Sequence, residues 1–158
     1  MNKRDLVLQV LDANKPQAYI PAAFFLHFDP AFHRGQAAVE KHLEYFHYTG
    51  MDFVKIQYET VFPHRDEIRK PKDWLKMPKY GMEFYQDQVE IAKGLVKAAR
   101  KDALVIMTLY SPFMCAGHSV GDGVLVQHIQ EDPEPVKKGM EIITESLRTF
   151  VRSCIDAG

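Results

Sequence analysis

At 158 residues, 46% hydrophobic and 26% charged, the chain carries enough apolar material for one ordinary core and is not a disordered polymer. Its 20 Lys and Arg against 21 Asp and Glu leave a formal charge of -1, which excludes the basic footprint of a nucleic-acid binder and points to small molecules as partners. No apolar run approaches the roughly 20 residues a membrane helix needs. Cys115 and Cys154 lack metal-ligand spacing and the opening Met1-Asn2-Lys3-Arg4 is not leader-like, so a cytoplasmic location is expected.

Asn2 caps a first predicted helix with Leu6, Val7, Val10 and Leu11 on one face, broken at Asn14-Lys15-Pro16. Tyr19 to Leu26 is a continuous apolar run, which predicts a strand buried on both faces, with Pro21 near the sheet margin. Val39, Leu43 and Phe46 predict a helix over 36–48, and Gly50 stands where a left-handed cap belongs. Met51 to Glu59 then reads as a strand, in the order expected of a parallel αβ unit.

The stretch 60–81, with Pro63, Pro71 and Pro78, is too long for an ordinary connection and is expected to be a functional loop or a surface excursion. Val89, Ile91, Leu95, Val96 and Ala99 predict a helix over 84–101, and 102–109 is the next buried strand. Asp132-Pro133 opens the last helix, whose stripe of Val136, Met140, Ile143, Leu147, Phe150 and Cys154 repeats at steps of four and three. Asp156-Ala157-Gly158 is expected to deliver the chain into a further strand, so the alternating pattern reads as an α/β fold that is incomplete over 1–158.

Four stretches in this order resemble the N-terminal half of the uroporphyrinogen decarboxylase superfamily: Lys3 to Leu8, Asp52 to Glu59, Ser111-Pro112-Phe113, and Glu131 to Glu134. The resemblance implies the first part of a TIM (β/α)8 barrel, with chemistry at the carboxyl ends of its strands. Glu59 stands where the decarboxylases keep an aspartate facing pyrrole nitrogens, and a carboxylate there stabilises cationic charge in the transition state. His118 falls at a substrate-contacting tyrosine, and His27 ends the first predicted strand as a lining residue. The family's two arginines after that strand have no counterpart in Leu26-His27-Phe28-Asp29-Pro30, and Arg34 is the nearest partial substitute for binding substrate carboxylates.

The residues themselves also admit bland readings. His27 with Asp29 is weak evidence for a metal, the run His64 to Lys70 reads as a solvated loop, and Cys115 as a small buried apolar residue. The leading expectation is a cofactor-free carboxy-lyase acting on a tetrapyrrole or related anionic small molecule, with Glu59 catalytic and His27, His118 and Arg34 binding substrate. Two alternatives stand beside it. One is a corrinoid-dependent, zinc-assisted methyltransferase of the same superfamily. The other is a non-catalytic half barrel that forms a homodimer or assembles with a complementing C-terminal half.

Overall fold

The computed structural model describes residues 2–14 and 18–158, and the expected helix break at Asn14-Lys15-Pro16 falls largely outside them. Six α-helices and two strands are present among the described residues: α1 (Lys3–Val10), α2 (Gly35–Thr49), β1 (Phe53–Ile56), α3 (Met82–Ala99), β2 (Leu104–Met107), α4 (Pro112–Val120), α5 (Asp122–Glu131) and α6 (Pro133–Asp156). The chain divides into two compact units, one of Met1–Glu59, Gln86–Thr108 and Asp156–Gly158, the other of Thr60–Tyr85 and Leu109–Ile155.

In the first unit, β1 and β2 pair in parallel with Val54 opposite Val105 and Ile56 opposite Met107. Strand alternation turns Val54 and Ile56 into a core with Ala38, Val39 and Phe46 of α2 and Ile91, Ala92 and Leu95 of α3. Gly50 adopts φ 65°, a left-handed conformation that only glycine enters without cost, and so turns α2 into β1. The Asn2 side chain caps α1 by accepting from the Asp5 amide, and Lys3 Nζ donates to the carbonyls of Gly50 and Met51 just ahead of β1.

These two four-residue strands overturn the expected N-terminal part of a TIM barrel; the described residues are mostly helical, with one short parallel ladder inside the first unit. The decisive departure is at 19–26, which is extended but joins no ladder, and Phe24, Phe25 and Leu26 are about half exposed rather than buried on both faces. Amide donors in it and just after it go to side chains instead of a neighbouring strand's carbonyls: Ala22 to Asp52, Leu26 to Gln57 and, beyond the run, Phe28 to Glu59. One backbone bond, from Asp52 N–H to the Ala22 carbonyl at 2.8 Å, is the remnant of strand pairing.

In the second unit the stretch 60–81 is exposed along much of its length but anchored at intervals. Phe62, Ile68, Trp74 and Met77 are buried, and a 3-10 turn, Pro71–Lys76, sets Trp74 into the core. The Trp74 indole donates to His128 Nδ1 at 3.1 Å, which ties that turn to α5. Tyr80 stacks on Phe84 at 4.4 Å, Tyr85 stacks on Phe150 of α6 at 4.8 Å, and the Ser146 hydroxyl accepts from the Tyr80 amide. The apolar stripe of α6 is buried at Val136, Ile143, Leu147 and Phe150 and part-buried at Met140 and Cys154.

Gly139 of α6 lies against Trp74: a Cβ there would stand 2.8 Å from the indole Cε3 and 3.0 Å from the Trp74 carbonyl oxygen. Gly139→Ala is therefore expected to lower unfolding free energy by about 1–3 kcal/mol through overpacking. Gly123→Ala on α5, where a Cβ meets nothing within 4 Å, serves as the matched control and is expected to be neutral or stabilising. Urea titration of the two variants checks both signs.

Candidate functional site

Polar side chains gather at the carboxyl end of β1, and strand periodicity brings them there. Alternate residues Val54, Ile56 and Tyr58 are buried, while Lys55, Gln57 and Glu59 project on the other side and meet the extended segment 24–28. Lys55 Nζ donates to the Thr108 hydroxyl at 2.8 Å, beyond the end of β2, and lies 4.4 Å from the centre of the Phe25 ring. Burial pushes the Lys55 ammonium below its ordinary pKa, and the attraction of Glu59 opposes that shift.

Glu59 is held from two sides. Its Oε1 accepts the Phe28 amide at 3.1 Å, and its Oε2 lies 2.8 Å from His27 Nδ1. The carboxylate side chain is 9% exposed, whereas the His27 ring is 66% exposed with its Nε2 edge turned away from the carboxylate. A carboxylate can only accept, so Nδ1 carries the hydrogen in this contact and Nε2 is the nitrogen presented outward. The result is a carboxylate-backed imidazole beside an ammonium, the elements needed to bind an anion and move a proton.

Gln57 and His42 set this geometry. The Gln57 side-chain amide donates to the Phe24 carbonyl and accepts from the Leu26 amide, so it grips the segment as a peptide unit of a neighbouring strand would. The Gln57 backbone amide donates to His42 Nε2 at 2.9 Å, and His42 Nδ1 donates to the Ala38 carbonyl at 2.6 Å. Both ring nitrogens are thus used in the neutral form, and burial lowers the His42 pKa.

The other sequence candidates have different fates. Arg34 does not join Glu59; its exposed guanidinium pairs with Asp87 at 3.0 Å. His118 lies in the second unit on α4, with the Tyr110 ring edge-on at 5.3 Å and its Nδ1 buried without a partner among the described residues. Asp29 accepts from the Ala31 amide and so caps a 3-10 turn, and no group of three or more His, Cys, Asp and Glu side chains fit for a metal forms among the described residues. Cys115 is buried, and burial pushes its thiol up to about 11, which suits a packing role rather than a nucleophile. His64 and Arg65 pair locally with Asp66 and Glu67.

Lys55, Gln57, His42 and Thr108 were not among the residues singled out by sequence, although one signal was present. Lys55, Gln57 and Glu59 recur at a spacing of two inside an apolar strand, which marks a polar face. His42 had no such signal, because its partner is fifteen residues away.

The His42 bonds require the neutral ring, while the unfolded chain binds a proton near the ordinary value of 6.5. Stability is therefore fully present above pH 6.5 and is lost as pH falls below it, with a slope approaching about 1.4 kcal/mol per pH unit from this residue. Comparing chemical denaturation of the wild type and His42→Gln between pH 5 and 8 is expected to show a shallower profile in the variant.

No protein-family model, curated protein or solved structure matches the chain.

Proposed function

We propose that this chain is an enzyme of the uroporphyrinogen decarboxylase kind, a carboxy-lyase acting on a tetrapyrrole or a related carboxylated ring. The observation that carries the proposal is the Glu59 carboxylate, nearly buried, fixed by the Phe28 amide and backed onto the exposed His27 imidazole at 2.8 Å. Sequence resemblance at Asp52 to Glu59 supplies the substrate class, and the local chemistry is suited to it.

In this reading Lys55 attracts a substrate carboxylate, and the Glu59 carboxylate accepts a ring N–H and stabilises the cationic ring formed as a carbon is protonated. The bond to the departing carboxylate then breaks, its electron pair returns to the ring system, and carbon dioxide leaves. That proton comes from Nε2 of the doubly protonated His27 ring to the carbon bearing the carboxylate, stays there as the new C–H bond when carbon dioxide leaves, and is replaced on Nε2 from solvent. The sum consumes one proton, releases one carbon dioxide and involves no oxidant, reductant or cofactor. No helix among the described residues is long and apolar enough to cross a membrane, and the free thiols Cys115 and Cys154 fit the reducing cytoplasm in which we place the reaction.

Carbon dioxide release from uroporphyrinogen and from a panel of smaller pyrrole carboxylates tests the proposal. Turnover of at least one substrate is expected, with kcat lowered by roughly 10²–10³ in Glu59→Gln and by roughly 10²–10⁴ in His27→Gln while circular dichroism is unchanged. The reading fails if no carboxylated pyrrole is consumed, or if both variants turn over at the wild-type rate.

A further inference from the structure

The second unit contains a cavity of about 530 Å³ that the carboxy-lyase reading does not use, formed between the segment leading into α4 and one side of α6. Its size falls within the roughly 300–1,000 Å³ usual for small-ligand sites. Leu109, Leu147 and Val151 give it an apolar wall, and Tyr110 adds an aromatic ring braced by His118. At the same cavity stand Arg148 and Arg152, one helical turn apart and therefore on the same side of α6.

The charges are unequal. Glu145 pairs with Arg148 at 2.9 Å, but both side chains are about half exposed, and such pairs hold weakly against water or a competing anion. Arg152 meets no carboxylate among the described residues, so the cavity keeps a net positive edge over an apolar floor. Guanidinium pairs favour carboxylate and phosphate oxygens, and an apolar wall favours a hydrocarbon body over an inorganic ion. The α4 helix, which begins at Pro112 on the cavity lining, adds the positive end of its dipole.

We propose that this cavity is a binding site for an organic anion made of an acidic head, carboxylate or phosphate ester, on an apolar ring. The head lies between Arg148 and Arg152, and the ring lies on Leu147, Val151 and Tyr110. The site is independent of the chemistry at Glu59 and stands whether or not the chain is a carboxy-lyase.

Calorimetric titration of the full chain with naphthoate, naphthyl phosphate and the neutral naphthalenemethanol tests the inference. At least one anion is expected to bind saturably, roughly tenfold or more tighter than the alcohol; which anion wins identifies the head group. Combining Arg148→Gln with Arg152→Gln is expected to remove that tenfold preference and leave the affinity for the alcohol unchanged. Val151→Trp, which fills the cavity without touching a charge, is expected to abolish binding of all three. Equal affinity for alcohol and anions, no anion binding at all, or full anion affinity in the double variant overturns the proposal.

Discussion

The first unit depends on how the extended segment 22–28 satisfies its backbone without a strand partner. Along this half-exposed segment side chains act as the acceptors: Asp52, Gln57 and Glu59 receive the amides of Ala22, Leu26 and Phe28 in turn. Burial alone would push the Asp52 carboxyl up, but the hydrogen bonds from Tyr19, the Ala22 amide and Lys3 outweigh it and hold the group below its ordinary range. A lateral set of side-chain bonds thus replaces a ladder, and each bond ties up a polar group on the β1 side of the segment.

That substitution explains why the carboxyl end of β1 can carry chemistry. Glu59 is positioned by a backbone amide rather than by a neighbouring strand, which leaves its second oxygen for His27. Gln57 is locked by Phe24, Leu26 and, through its backbone, His42, so Lys55 finds Thr108 and the face of Phe25 as its nearest partners. Packing of Val54 and Ile56 against α2 and α3 fixes the strand from beneath. The apolar face supplies stability and the polar face supplies reactive groups, and the period of two keeps them apart.

The second unit solves a different problem, a long proline-containing stretch that must be anchored by helices. Trp74 is the pivot. Its indole nitrogen is satisfied by His128, Gly139 leaves room for its ring, and Tyr85 and Phe150 continue the aromatic packing. Ser111 caps α4 ahead of Pro112, and Gly121, at φ 87°, ends α4 and begins α5. The same junction before α4 leaves Tyr110 on the wall of the cavity beside α6.

Local chemistry written in the sequence determined α1, α2, α3 and α6, whereas α4 and α5 were not read from it. The Asn2 cap, Gly50 after α2, and the stripe from Val136 to Phe150 were legible because each is settled by neighbours within one or two turns. So was the candidacy of Glu59 and His27, which rested on their place after apolar runs and on resemblance. What only the tertiary structure decided was whether Tyr19 to Leu26 would pair as a strand, and that Phe62, Ile68, Trp74 and Met77 would anchor the stretch 60–81 in a core. The apolar run is equally compatible with a ladder and with side-chain clamps, since hydrophobicity does not record the source of hydrogen-bond acceptors. That source lay about thirty residues away, in Asp52, Gln57 and Glu59, and only the folded chain brings those partners together.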